Sequence, residues 1–255
     1  VRELTRPADV TAVSDDLLLR WAAQALLPDF PGGGRAWTHG DAACVLAPAL
    51  FQRDRLVLAG PPQDVAVLLD AHGGTPGVSP LVAADQVERV LRCAPRFAEK
   101  STFGWMERTG SLAPGPGARW VREDELDAVT ELLRVANPES WTWPRATGAR
   151  RWAAVFDDGL PVAVAADAWS APGAGFVGGV ATHPAHRGRG LSSAVCAFVV
   201  SALLAEHGAV TLMVDGGNAT AIRLYSRLGF RYRGVTVLLP DVVPFGREED
   251  LGRAG

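Results

Sequence analysis

The chain has 255 residues, 48% of them hydrophobic and 21% charged, with a formal net charge of −3. That is the composition of a soluble globular protein long enough for one large domain or two small ones. It excludes an electrostatic nucleic-acid surface, and no apolar run reaches the ~18 residues that would span a membrane. The N-terminus lacks a basic-then-apolar leader pattern, so a cytoplasmic protein, monomeric or homodimeric, is expected. Cys44, Cys93 and Cys196 are odd in number and lack Cys-x-x-Cys spacing. They read as buried free thiols in a reducing compartment rather than a disulfide framework or metal knuckle.

Asp15 to Leu27 has helical periodicity, with Ser14 or Asp15 as cap. After the break at Pro31-Gly-Gly-Gly34, Ala42–Leu46 and Arg55–Leu58 predict short strands. A helix opened by prolines is expected over Pro61–Asp70, another over Ala83–Cys93, and a strand over Phe103–Met106. The run Gly110-Ser-Leu-Ala-Pro-Gly-Pro-Gly117 reads as a linker. Beyond it, Asp124–Val135 predicts a helix stopped by Asn137-Pro138. Trp152–Phe156 and Pro161–Ala168 predict a hairpin about Asp157-Asp-Gly159. Phe176–Ala181 continues the sheet. A helix over Leu191–Glu206, a strand over Val210–Val214, a helix over Ala219–Leu228 and a strand over Phe230–Leu238 complete the chain. Two units follow: an N-terminal α/β lobe over 1–112 and a second domain over 119–255.

The segment His183-Pro-Ala-His-Arg-Gly-Arg-Gly-Leu-Ser192 carries the chemistry. A glycine turn between a strand and a helix presents unpaired backbone N–H groups at the positive end of a helix dipole. That arrangement binds phosphate. Gly188 and Gly190 let the backbone approach an anion, and Arg187 and Arg189 add charge. The same Gly-x-Gly, with Asp215 ending the next strand, also imitates a dinucleotide-binding βαβ unit. Ser193 stands where that fingerprint needs its third glycine, and no further βαβ units follow. Downstream, Asn218 reads as a helix N-cap and Tyr225 as a core aromatic or a site residue. His183 and His186 read as surface residues without further ligands at zinc spacing.

The segment Arg187-Gly-Arg-Gly-Leu-Ser192, followed by Asn218-Ala-Thr-Ala-Ile-Arg-Leu-Tyr225-Ser-Arg-Leu-Gly-Phe230, resembles the two signatures of the GCN5-related N-acetyltransferases (GNAT). The resemblance covers roughly residues 119 to 240. Ser192 departs from the usual Gly or Ala. The first lobe resembles only loosely the degenerate halves of two-lobed members such as glycine N-acyltransferase-like enzymes. The resemblance implies an α/β (α+β) fold: a mixed, mostly antiparallel sheet flanked by helices, with a smaller N-terminal α/β lobe.

It further implies an N-acetyltransferase moving an acetyl or other short acyl group from acyl-CoA to a small-molecule amine by direct attack. The amides of Arg187, Gly188, Arg189, Gly190, Leu191 and Ser192 would hold the pyrophosphate of acetyl-CoA. Val180 and Thr182 would pair with the pantetheine arm through their backbones, Asn218 would bond the cofactor, and Tyr225 would protonate the leaving thiolate. The family's usual glutamate is missing from Gly175–Ala181, so Asp167 is the first candidate for the base, with Asp215 and His183 behind it. Trp141 and Trp143 would wall the acceptor pocket or pack the two halves together, and Trp169 would face the same cleft. The alternatives are a non-catalytic CoA-binding regulatory module and a protein or peptide N-acetyltransferase.

Overall fold

The computed structural model describes residues 1–240, so the predicted end of the second domain, 241–255, lies outside the described residues. The first half runs β1 (Arg2–Leu4), α1 (Pro7–Val13), α2 (Leu17–Ala22), β2 (Arg35–His39), β3 (Ala42–Leu50), β4 (Arg53–Ala59), α3 (Pro62–His72), β5 (Ser79–Ala83), α4 (Val87–Cys93) and β6 (Phe97–Thr109). The second runs β7 (Ala118–Trp120), α5 (Leu126–Ala136), β8 (Ala149–Asp157), β9 (Leu160–Ala168), β10 (Gly175–Thr182), α6 (Leu191–His207), β11 (Ala209–Val214), α7 (Ala219–Arg227) and β12 (Arg231–Pro240). Apart from one extra helix in the first half, where α1 and α2 stand in the place of α5, each half passes through the same sequence of elements: a short strand, a helical segment, three antiparallel strands, helix, strand, helix, long strand. In both, the strands around the second of these helices pair in parallel, β4 with β5 and β10 with β11.

The halves share one sheet of order β1-β2-β3-β4-β5-β12-β6-β11-β10-β9-β8-β7. Their last strands are interleaved. β12 pairs with β5 on one side and, from Arg231↔Glu107 to Pro240↔Phe97, with β6 on the other. β6 in turn pairs with β11 from Ala209↔Thr109 to Val214↔Gly104. The predicted split at 112–119 therefore marks a connection between halves of a continuous sheet. Gly104, where these strands meet, has room for no side chain: a Cβ would come within 2.3 Å of the Tyr232 ring and 2.7 Å of Val214.

Period-two alternation sorts the side chains onto two faces. Trp152, Ala154, Val164 and Ala166 face the side covered by α2 and α5. Ala153, Ala163 and Ala165 face α6, packing on Val195, Val199 and Leu203. The α2 side is continuous across the halves: Trp21 stacks on Phe176 at 4.9 Å and tilts against Trp105 at 5.6 Å. Its indole N–H donates to the Trp169 carbonyl at 2.7 Å, which the Gln24 amide also reaches at 3.0 Å.

Local rules explain the boundaries and the misses. Asp16 caps α2, accepting from the Leu19 amide at 2.9 Å, and the helix tightens to 3₁₀ over Ala23–Leu26. Asp158 and Gly159, at φ +47° and +80°, make the hairpin turn whose twist suits two strands. The helix expected over Ala83–Cys93 is split: Ala83 ends β5, and α4 begins at Val87. Pro80 had masked that strand. β1, β2 and α1 were not expected. Cys44 and Cys196 are buried, but Cys93 is exposed. No described helix is long and apolar enough to cross a membrane.

In a fragment of residues 1–112, β5 loses its partner β12 and β6 loses both of its partners, β11 and β12, so three strand edges are left unpaired. The fragment is expected to aggregate or to show no cooperative thermal transition by circular dichroism. A monomeric fragment with a sharp transition would show that the first half folds alone.

Candidate active site

β10 and β11 pair only at Gly175↔Val210 and Phe176↔Thr211, and then diverge. The cause is on the other edge of β10, where the register with β9 shifts between Gly178 and Ala181. Gly179 sits in this bulge at φ +61°, and a Cβ there would meet the Trp152 ring at 2.3 Å. Only glycine fits both the backbone and the space. The bulge turns the Val180 backbone out of a regular ladder, and the divergence leaves a cleft of about 730 Å³. Lining residues come from both faces of the sheet: Phe51, Phe103 and Phe176 from one, Val177, Val214 and Tyr225 from the other.

Beyond β10 the chain makes a 3₁₀ turn over Pro184–His186 and enters α6 through Gly190. Gly188 and Gly190 both lie near φ +78°, facing open space where no atom would contact a Cβ. None of the amides from Gly188 to Ser193 donates to a backbone acceptor among the described residues. Six such groups at the start of a 17-residue helix form a cluster of donors, the geometry in which helix N-termini can accept an anion. Around it, the Ser192 hydroxyl pairs with Thr182 Oγ1 at 2.6 Å, and so is turned away from crowding the loop. Arg187 Nε reaches the Thr182 carbonyl at 3.3 Å, and Arg189 reaches Asp157 at 3.4 Å.

Asn218 caps α7 by accepting from the Ala221 amide at 3.0 Å, and it also lines the cleft. One further turn along, Tyr225 is 7% exposed and packs edge-on to Phe230. Burial, with Cys196 nearby, raises the phenol well above its ordinary 10.0, so it remains a proton donor throughout the neutral range.

Several predicted site residues are placed elsewhere. Asp167 does not line the cleft. Alternation on β9 points it with Ala163 and Ala165 toward α6, where it is fully buried, 3.0 Å from Arg151 and 2.6 Å from the Ser170 hydroxyl. There its carboxylate faces Arg151 and Ser170 rather than the cleft. Trp169 is 5% exposed, its carbonyl held by Trp21 and Gln24, and it joins the halves rather than facing the cleft. Trp143 is half-buried, its indole donating to the Ser140 carbonyl at 2.7 Å, and packs on the α2-side core. Trp141 does line the cleft, 40% exposed, beside Phe51 and under the Arg53 guanidinium at 4.8 Å. His183 lies outside the cleft lining, its Nδ1 facing the Ala185 amide. Of the carboxylates considered, Asp215 alone borders the cleft. Sequence reasoning missed Glu139 and the whole first-half wall, including Arg53, Arg55 and Lys100. The one available signal was an arginine embedded in the apolar run Arg55-Leu-Val-Leu58.

Residues 156–239 match the FR47-like protein family. That stretch contains the splayed strand, the bulge and the glycine turn described above. The second half is similar to the GCN5-related N-acetyltransferases in its fold. A mycothiol acetyltransferase of Kineococcus radiotolerans is 30% identical over 179 residues, which cover 64% of this chain and 58% of that protein. The chain thus spans under two thirds of that relative's length. A GCN5-related N-acetyltransferase from Kribbella flavida shares the GNAT fold, with a TM-score of 0.54 and 23% identity over 83% of this chain and 90% of that one. A tandem GNAT protein from the clavulanic acid biosynthesis pathway does so at 0.51 and 14% over 94% and 98%.

Two substitutions test this geometry. Gly190→Glu places a carboxylate and a side chain at φ +77° in the donor cluster. Calorimetry is expected to show CoA affinity falling by roughly 10²-fold or more, with unchanged far-ultraviolet circular dichroism; retained affinity would mean that phosphate sits elsewhere. Asp167→Asn is expected to lower stability by about 1–3 kcal/mol in denaturant melts, through its hydrogen bonds to Arg151 and Ser170, and to leave catalysis within twofold. A large loss of turnover in a fully folded variant would return Asp167 to the reaction.

Proposed function

We propose that the protein is an acyl-CoA-dependent N-acetyltransferase whose acceptor is a small-molecule amine. The observation that carries this reading is the cleft opened by the divergence of β10 from β11 and bordered by Tyr225, together with the six unpaired amides of the turn that follows β10. The relative named a mycothiol acetyltransferase supports a small acceptor, as does a cleft walled by both halves of the chain. Acetyl-CoA, when bound, supplies the thioester whose acyl carbon the amine attacks.

The residues divide the work. The amides of Gly188 to Ser193, with Arg187 and Arg189, hold the pyrophosphate, and the diverging backbone at Val180 and Thr182 offers the pantetheine arm an unfilled strand edge. A backbone N–H in the Gly179–Val180 bulge polarises the carbonyl as negative charge develops on its oxygen. Asp215, on the corner leading into α7, accepts the proton that the ammonium must lose before its nitrogen can attack. Glu139 adds negative charge to the same cleft. As the new C–N bond forms and the C–S bond breaks, Tyr225 donates its proton to the departing sulfur, and the second proton that the attacking nitrogen sheds in becoming an amide restores the phenol. Burial suits the phenol to this: it stays protonated until needed.

Thiol release from acetyl-CoA across an amine panel tests the reading. Tyr225→Phe is expected to lower kcat by about 10²-fold with CoA affinity unchanged. The sign of the pH effect follows from the raised phenol. An acid must be protonated to act, so the alkaline limb due to Tyr225 begins above pH 10.0. A limb centred below that value and abolished in Tyr225→Phe would contradict the burial argument. Unchanged turnover in the variant would remove the phenol from the reaction.

A further inference from the structure

The wall that the first half contributes to the cleft is cationic, and its innermost member is not explained by the fold. Arg55 is 4% exposed on β4 and lines the cleft. Its Nε donates to the Leu50 carbonyl at 3.0 Å, and among the described residues it has no other hydrogen bond and no ion pair. The charge that bears on it is another cation, Arg53, and burial with that repulsion pulls its pKa down to about 10. A buried guanidinium without a counter-ion is costly, because desolvation is unpaid by any anion. Lys100, the chain's one lysine, lines the same wall. Arg151 and Arg233, by contrast, are partly buried arginines paired with the carboxylates of Asp167 and Asp16.

The backbone that carries this wall is held under strain. Ala49, Phe51 and Gln52 in the β3–β4 turn lie at φ +51°, +49° and +61°, the left-handed region that non-glycine residues avoid. The turn is fixed by the Ala49 amide on Asp54 at 2.8 Å, by Arg55 on Leu50, and by the Gln52 amide on the Trp141 carbonyl at 2.6 Å. The last of these ties it to the opposite half. With Nε committed to Leu50, the terminal nitrogens of the Arg55 fork are pre-oriented and unspent. A planar fork of this kind matches a carboxylate.

The cleft has a polarity to match. Cations line it from the first half, and Asp215 and Glu139 line it from the second, with Phe103, Phe176 and Met213 between. The CoA phosphates do not account for the arginine, because their cradle at Gly188–Ser193 is not part of this lining. We propose that the acceptor is an amino acid or a similar amine bearing a carboxylate, which Arg55 grips while the amine points to the second half. This rests on the transferase reading above and narrows its substrate class.

The test pairs free amino acids (glycine, L-leucine, L-phenylalanine and 6-aminohexanoate) with their carboxamides. Each is titrated by calorimetry into the CoA-saturated protein and assayed for thiol release from acetyl-CoA. At least one acid is expected to bind about 10²-fold more tightly than its amide. Arg55→Lys and Arg55→Gln are expected to cut that ratio below about tenfold, chiefly through KM, with CoA affinity little changed. A purely structural Arg55 would weaken acid and amide alike and leave the ratio intact, which overturns the proposal. So does equal binding of acids and amides, or failure of both to bind. A carboxylated donor such as succinyl-CoA, favoured over acetyl-CoA through Arg55, would overturn it too by moving the anion to the acyl group. Tight acid binding without turnover would instead uphold the Arg55 assignment and sink the transferase reading.

Discussion

The interleaving of β6 and β12 is the constraint on which the rest depends. Each of these long strands has both hydrogen-bonding edges filled by strands of the other half, β6 by β11 and β12, and β12 by β5 and β6, so neither half can complete its sheet without the other's final strand. One continuous ladder then fixes the first-half wall of the cleft against the second-half slot. The tolerance at the crossing is small. Gly104 admits Tyr232 and Val214 only because it lacks a side chain, and Trp21, Trp105 and Phe176 pack as one aromatic group across the same boundary. A cleft built this way is rigid by construction, which favours positioning by preorganisation over closure of a lid.

The two halves spend a common topology differently. In the second, β10 leads into α6 through glycines with six free amides. In the first, β4 leads into α3 through Gly60-Pro-Pro62, and two prolines remove N–H groups from the place where a phosphate would need them. Asp64 also occupies that corner, accepting from the Asp41 amide at 3.1 Å. An acidic, proline-opened helix start repels a pyrophosphate. What the first half retains is a scaffold, and what it adds is the cationic edge of β4.

Local chemistry made the second half legible from sequence. Glycines at fixed spacing dictate a turn, Asp157-Asp-Gly159 dictates a hairpin, and Asn218 dictates a cap, each through contacts a few residues apart. The failures share a different cause. Asp167 and Trp169 follow one another at the end of a strand, and which face each takes depends on the register of β9 and on what packs there. Arg151 claims one and Trp21 the other, from 16 and 148 residues away. The interleaved strands and the Arg53–Arg55 wall were hidden for the same reason: they are properties of long-range pairing, which periodicity does not encode.

The divergence of β10 from β11 and the burial of Arg55 are connected through this same pairing. The slot opens because Gly179 lets β10 bulge over Trp152, and it opens toward whatever the adjacent strands bring. Interleaving brings β6, with Lys100 and Phe103, to that opening, and Arg55 on β4, beyond β12 and β5 in the sheet, lines the same cleft. In a single-lobed sheet the same opening would face solvent, where an exposed arginine gains little from one carboxylate because water and salt screen the pair. Burying the guanidinium behind a second lobe raises the cost of leaving it unpaired, and with it the discrimination against acceptors lacking an anion. The second lobe is thus a means of giving one side chain a low-dielectric setting.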